Sequence, residues 1–133
     1  MRKTLLTGLL LLLLAACGDQ QPEIPYRKVR FTVSIPSTNL NYVGGYEYFT
    51  GGVSGVVVYR YDIANFMAFD RACPHDWEEG GRVEVVNSIF LYDSLCGSMF
   101  NILDGTPVGG PSKGSLRPYN AVMEDDFMLR VFN

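Results

Sequence analysis

Apolar and polar residues alternate along several short stretches of the chain after its first 26 residues. Residues 28–35, KVRFTVSI, place Val29, Phe31, Val33 and Ile35 on one side of an extended segment and charged or hydroxyl residues on the other. A period of two is the pattern of a β-strand with one buried face. This stretch therefore predicts a strand that lies on a hydrophobic core.

Seven further stretches are short, rich in β-branched and aromatic residues, and separated by glycine, asparagine or aspartate. They are residues 56–61, 66–70, 82–86, 88–92, 99–103, 120–124 and 127–132. The joints between them have the composition of turns, at 62–65, 87–88, 104–105 and 124–126. No stretch after residue 17 has sustained helical periodicity, and the glycine-rich segment 42–55 is ambiguous. The pattern predicts one all-β domain, a small sandwich or barrel.

The N-terminus has a different pattern. A basic start, Met1-Arg2-Lys3, precedes an almost unbroken apolar run at 5–14 and then Ala15-Ala16-Cys17. This order predicts a secretory signal at residues 1–16, because the apolar run is too short for a spanning helix. A membrane anchor or a core helix is the alternative.

The end of this signal resembles the lipobox of bacterial lipoproteins. The residues that carry the resemblance are Leu14-Ala15-Ala16-Cys17. It implies cleavage before Cys17 and a lipid on that cysteine, so that the mature protein is anchored to a membrane without crossing it. Residues 17–26 are then a tether, and residues 27–133 are the domain. The protein is expected to be exported, facing the periplasm or the cell surface, and Gly18 fits sorting to the outer membrane.

Charge limits the partners of the mature chain. Removal of residues 1–16 takes away Arg2 and Lys3, which leaves nine basic residues against 14 acidic ones and a net charge of about −5. This balance argues against nucleic acid and against docking on anionic lipid.

Candidate chemistry is confined to two loops between predicted strands. Cys73 and His75 are spaced C-x-H, whereas Asp93 and Cys96 are spaced D-x-x-C. Two short ligand pairs on separate loops can surround one metal centre. In an exported protein the two cysteines of the domain indicate either a metal site or a disulfide.

These loops resemble the Rieske iron–sulfur fold. "FMAFDRACPHD" is similar to the first cluster loop of that family. "CGSMFNILDGTPVGGPSKGSLRPY" is similar to its second loop, with the aspartate-glycine turn, the glycine-proline loop and the final strand that follow. The resemblance implies a Rieske-like (ISP-type) small β-sandwich or barrel with a two-loop cluster-binding subdomain.

The second loop departs from the family pattern. Anchored on Gly97-Ser98-x-Phe100, the alignment places Asp93 on the family's second cysteine and Cys96 on its second histidine. The other register keeps Cys96 as the second cysteine and places Met99 on the histidine. His75 is the single histidine of the chain, so neither register supplies the two histidines of a standard Rieske centre.

The resemblance implies a 2Fe-2S cluster held by Cys73, His75, Asp93 and Cys96, and a one-electron carrier that is not itself an enzyme. It implies a redox protein as partner and no small-molecule substrate. A carboxylate in place of a neutral imidazole adds negative charge, which stabilises the oxidised form and predicts a low potential. Phe100 lacks the hydroxyl that a tyrosine would offer the cluster, whereas Ser98 keeps a donor.

Two alternatives stay open at this point. The fold can have lost its cofactor, and a Cys73–Cys96 disulfide would then make the protein a structural or interaction lipoprotein. Alternatively, the four ligands can hold one zinc ion, since Cys, His and Asp are all acceptable in a tetrahedral site.

Overall fold

A computed structural model describes Gly18 and residues 20–133, so the predicted signal and Cys17 lie outside the described residues. This part of the chain forms ten β-strands joined by turns. In chain order they are β1 (Arg30–Ser34), β2 (Tyr46–Phe49), β3 (Val56–Arg60), β4 (Phe66–Asp70), β5 (Val83–Val86), β6 (Phe90–Asp93), β7 (Met99–Asn101), β8 (Pro107–Gly109), β9 (Pro118–Met123) and β10 (Met128–Phe132). Helical structure in the described residues is limited to single 3₁₀ turns at Ile35–Ser37, Asn39–Asn41 and Trp77–Glu79. The prediction of an all-β domain is confirmed.

The strands form two antiparallel sheets. The larger has six strands in the order β1-β10-β9-β4-β3-β2, and the smaller has four in the order β5-β6-β7-β8. The smaller sheet is inserted between β4 and β9 of the larger one. The two sequence-predicted ligand loops belong to this insertion and to its junction with β4.

Strands β3 and β4 separate two hydrophobic cores. Val56 and Val58 of β3 pack into one core with Leu129 and other residues of the larger sheet, whereas Val57 packs into the other with Phe69. Successive side chains of a strand point to opposite faces, so a strand between two cores must be apolar at every position. The unbroken Val-Val-Val run therefore reflects burial on both faces.

The second core supports the smaller sheet and reaches the first ligand loop. Its fully or nearly fully buried members include Cys73, Val83, Leu91 and Phe100. Cys73 is therefore part of the hydrophobic core as well as a candidate ligand.

The predicted strands match the observed ones to within a few residues. Phe66–Asp70 has the predicted bounds, and the predicted turn at Asn87-Ser88 contains two residues with left-handed φ angles of 54° and 55°. Strand β2 lies in the segment left ambiguous, and β8 was not predicted. Within the described residues, no helix is long and apolar enough to cross a membrane.

Candidate metal centre

The first ligand loop leaves β4 and folds back on itself before β5. The carbonyl oxygen of Cys73 accepts hydrogen bonds from the amides of Asp76 (3.3 Å) and Trp77 (2.9 Å). The amide of Cys73 donates to the carbonyl of Gly81 (3.2 Å), and the amide of Gly81 donates to the carbonyl of Asp76 (2.9 Å). These bonds hold Cys73 and Asp76 side by side on one compact loop.

The second ligand loop is a tight turn between β6 and β7. The amide of Gly97 donates to the carbonyl of Asp93 (2.8 Å), and the amide of Asp93 donates to the carbonyl of Ser98 (2.9 Å). Gly97 has a φ of +82°, which L side chains rarely adopt. The turn brings the side chains of Asp93 and Cys96 back toward the first loop.

Four side chains from the two loops converge on one point. Ligand atoms of Cys73, Asp76, Asp93 and Cys96 all lie within 4.8 Å of one another. The Sγ atoms of the two cysteines are 3.7 Å apart, and both cysteines are free thiols. Cys73 is fully buried, and Asp93 is 1% exposed. Two thiols and two carboxyl groups, all buried except half-buried Cys96, form a donor set suited to a metal ion.

Asp76 is the unusual member of this group. Its side chain is buried, yet neither carboxyl oxygen has a hydrogen-bond partner among the described residues. Gly81 faces it so closely that a Cβ added there would lie 1.9 Å from Asp76 Oδ1 and 2.7 Å from Asp93 Oδ2. A buried carboxyl group without a donor is costly unless it is protonated or meets a cation.

Burial acts to raise the pKa of three members of the group, Cys73, Asp76 and Asp93. It raises the pKa of the Cys73 thiol, with the carboxyl group of Asp93 acting in the same direction. It also raises the pKa of Asp76, and the neighbouring carboxyl group of Asp93 raises that pKa further. For Asp93, burial acts to raise the pKa, but the neighbouring Asp76 and the hydrogen bond from the Leu95 amide outweigh burial and leave the pKa lowered.

These directions favour the protonated forms of Asp76 and Cys73 and the ionised form of Asp93. Metal ligands must be deprotonated, so binding a cation here would release protons. A metal ion would thereby supply the positive charge that the loops lack.

His75 lies outside this group of four. It is half-buried, and its Nδ1 is 3.1 Å from Nε2 of Gln21. Of the four sequence-predicted ligands, the structure therefore brings together Cys73, Asp93 and Cys96, and it adds Asp76 in place of the imidazole. The role of His75 as a ligand stays a prediction.

The two residues predicted to tune the centre lie next to it. Cys96 Sγ donates to Ser98 Oγ (3.1 Å), which also accepts from the amide of Ser112 (3.0 Å). Phe100 is fully buried in the same core as Cys73. The serine therefore offers the sulfur a polar neighbour, whereas the phenylalanine offers only packing.

The distance between the two cysteine sulfurs tests whether a metal ion or a cluster fits the site. Two sulfurs on one tetrahedral zinc ion, with bonds of about 2.3 Å, lie about 3.8 Å apart. The observed 3.7 Å between Cys73 and Cys96 meets that requirement. The donor chemistry also fits iron, and a cluster bound through His75 would need the imidazole to leave Gln21.

Sequence reasoning missed Asp76 as a candidate ligand. It directly follows the C-x-H pair, where an aspartate is an ordinary turn residue, and nothing in the sequence alone shows its burial. A usable signal was the glycine pair Gly80-Gly81 that ends the loop, because Gly81 makes room for a carboxyl group. The contact of Gln21 with His75 had no sequence signal.

Comparison with known proteins bears on the fold. A chain of the carbazole 1,9a-dioxygenase complex of reduced oxygenase and oxidised ferredoxin superposes with a TM-score of 0.55 at 15% identity, covering 77% of this chain and 93% of that one. The ferredoxin of carbazole 1,9a-dioxygenase from Nocardioides aromaticivorans IC177 gives 0.52 at 20% identity, covering 79% and 97%. No protein-family model and no curated protein matches the sequence. At such identities the likeness concerns the fold, and the chain has the Rieske-like fold of these ferredoxins.

Proposed function

We propose that this protein is a membrane-tethered one-electron carrier with a low-potential 2Fe-2S centre on its two ligand loops. The observation that carries the proposal is the convergence of buried Cys73 and Asp93 with half-buried Cys96 in a Rieske-like fold. When bound, such a cluster accepts and releases single electrons. The chain itself supplies ligands, excludes water and sets the charge around them.

The low potential follows from charge and from hydrogen bonding. A carboxylate ligand at Asp93 adds a negative charge that favours the oxidised form, and fully buried Phe100 cannot donate a hydrogen bond toward the cluster. The reduction potential is expected to lie below about −150 mV, the lower limit for Rieske centres.

The lipid anchor belongs to the same proposal. Cys17 lies outside the described residues, and its support is the signal pattern that ends in Leu-Ala-Ala-Cys. A lipid at Cys17 would confine the carrier to a membrane surface on the exported side, with the outer membrane as the expected site. Its partner would be a redox protein.

Metal and sulfide analysis tests the cofactor. The mature protein, prepared without oxygen, should be brown, contain two irons and two acid-labile sulfides per chain, and lose both in Cys96→Ser. Asp126→Asn, which alters an exposed carboxylate in the β9–β10 turn, is the matched control and should keep the cluster. A colourless protein with an oxidised Cys73–Cys96 pair would overturn the proposal.

A second candidate is a structural site for one divalent ion such as zinc. It is favoured by the close group of Cys73, Asp76, Asp93 and Cys96, and by the 3.7 Å separation of the sulfurs. The two candidates differ in the fourth ligand. Asp76→Asn should weaken the single-ion site and leave a cluster held by His75, whereas His75→Ala should do the reverse.

A further inference from the structure

Residues 21–25, called here the strap, lie against the end of the domain that carries the candidate centre. Gln21 joins the strap to both the first ligand loop and the glycine-proline loop that precedes β9. Its Nε2 lies 3.1 Å from His75 Nδ1 and donates to the carbonyl of Pro111 (3.1 Å), and its Oε1 accepts from the amides of Lys113 (3.1 Å) and Gly114 (3.4 Å).

The rest of the strap is held equally closely. The indole Nε1 of Trp77 donates to the carbonyl of Pro22 (3.3 Å), and the guanidinium of Arg117 donates to the carbonyls of Ile24 and Pro25. Ile24 is 7% exposed and so belongs to the buried surface of the domain. The strap is therefore docked, although its composition in the sequence is that of a polar tether.

The loop that receives Gln21 also contacts the centre. The amide of Ser112 donates to Ser98 Oγ (3.0 Å), and Ser98 Oγ accepts from Cys96 Sγ (3.1 Å). A short chain of contacts thus runs from the strap to the ligands. The docked N-terminal segment and the candidate centre share one end of the molecule.

Chain length then restricts where the membrane can be. Cys17 and Gln21 are four residue steps apart, and a fully extended chain spans at most about 3.6 Å per step, so their Cα atoms lie within about 14 Å of each other. We infer that the end of the domain bearing the candidate centre faces the membrane surface. This inference rests on the proposed lipid at Cys17.

The surface at this end is compatible with that orientation. Leu95, next to Cys96 on the second ligand loop, is 60% exposed. Glu78 and Glu79 are exposed beside the first loop, so the surface should tolerate zwitterionic lipid better than anionic lipid. The opposite end carries Ile63, 78% exposed in the turn that precedes β4. Strand β4 runs from that turn toward Cys73, so Leu95 and Ile63 mark the two ends.

Energy transfer to the bilayer tests the orientation. The lipidated mature protein, carrying a fluorescent non-canonical amino acid at position 95 or at position 63, is bound to phosphatidylcholine nanodiscs with an acceptor on the lipid headgroups. The inference predicts several-fold stronger transfer from position 95 than from position 63. Equal transfer, or stronger transfer from position 63, would overturn it.

Two variants separate the strap from the anchor. A flexible Gly-Ser insertion of about 12 residues after Gly18 keeps the strap contacts but lengthens the tether, so the difference between the two positions should disappear. Gln21→Ala combined with Trp77→Phe removes strap contacts and should reduce the difference while the protein stays membrane-bound. An unchanged difference in both variants would contradict the role of the strap.

The lipid itself is tested separately with Cys17→Ser. This variant should leave the membrane fraction, and its retention there would overturn the lipid anchor of the proposed function. If Cys17→Ser is released but positions 95 and 63 give equal transfer in the wild-type background, the anchor stands and the orientation falls. The two failures are thus distinguishable, and neither readout requires the cofactor.

Discussion

Two buried carboxyl side chains, Asp70 and Asp76, lie six residues apart and have opposite hydrogen-bonding environments. Asp70, at the end of β4, is fully buried and accepts four hydrogen bonds, from the amides of Val53 (2.7 Å), Ser54 (3.1 Å) and Ala72 (2.9 Å) and from the hydroxyl of Tyr119 (2.7 Å). Asp76, six residues later, is also buried and has no partner for either oxygen among the described residues.

The difference separates a structural carboxylate from a candidate ligand. Asp70 is stabilised by donors that the fold itself supplies, and it ties the glycine-rich loop before β3 to β9. Asp76 faces Asp93 and two thiols, none of which brings positive charge. Native folds rarely bury a carboxyl group without a hydrogen-bond donor or a positive charge beside it. The stability of the folded protein should therefore depend on whether Asp76 binds a proton or a metal ion.

The largest effect should come from Asp70→Asn. The NH₂ group of the asparagine would replace an oxygen that accepts hydrogen bonds, so two donors would face each other. The free energy of unfolding should fall by about 3 kcal/mol. Urea denaturation measures this loss, and Asp126→Asn, on an exposed turn, should change stability by less than about 0.5 kcal/mol. A loss below 1 kcal/mol would show that the Asp70 network contributes little.

Metal addition should stabilise the folded protein through the site around Asp76, independently of the hydrogen bonds of Asp70. At about 100 times its dissociation constant, zinc added to metal-free protein should raise the free energy of unfolding by about 2.7 kcal/mol. Asp70→Asn should gain the same amount, whereas Cys96→Ser should gain almost none. Equal gains in all three proteins would locate the metal elsewhere.

The sequence predicted the elements whose pattern is local. The bounds of strand β4 were predicted from an unbroken apolar run, Phe66 to Phe69, and from the turn-like residues 62–65 before it. Strand β2 was missed because its aromatic residues lie among glycines, and β8 because a three-residue strand containing Pro107 and Gly109 resembles a turn. These strands depend on pairing with distant neighbours, which no local pattern encodes.

The parts of the candidate site that lie in local sequence motifs were also predictable. Cys73, Asp93 and Cys96 lie in short motifs with recognisable spacing, and the structure brings them together. The burial of Asp76 and the docking of Gln21 depend on contacts between segments far apart in the chain. Composition made residues 18–25 look like a free tether because hydrogen bonds to carbonyl groups leave no trace in the sequence.

Alkaline pH should weaken the Asp70 network through Tyr119. Burial, and then the hydrogen bond to Asp70, raise the pKa of Tyr119 above its ordinary value near 10. The folded state therefore binds the phenol proton more tightly than the unfolded state, and stability falls as pH rises above about 10, by up to about 1.4 kcal/mol per pH unit.

Tyr119→Phe provides the control for that pH dependence. Near pH 8 the variant should be about 1 kcal/mol less stable than wild type, because one buried hydrogen bond is lost. The gap should narrow above pH 10, where the wild type loses the contribution of Tyr119. A gap that stays constant in urea titrations across this range would contradict the account.

The smallest effect should come from Asp76→Asn in metal-free protein at pH 8. Asparagine has nearly the same shape, and it removes a buried carboxyl group that has no hydrogen-bond partner among the described residues and whose ionisation burial opposes. Stability measured with a chelator present should rise by about 1 kcal/mol. A loss of similar size would mean that Asp76, like Asp70, has partners that stabilise it.

The central claim is that the two ligand loops hold a redox-active iron–sulfur centre. Iron and acid-labile sulfide, measured per chain in the mature protein purified without oxygen, test it most directly. The account predicts two irons and two sulfides, visible absorbance that bleaches on reduction, and loss of all three in Cys96→Ser. One metal ion per chain without sulfide, or a colourless protein with Cys73 joined to Cys96, would contradict it.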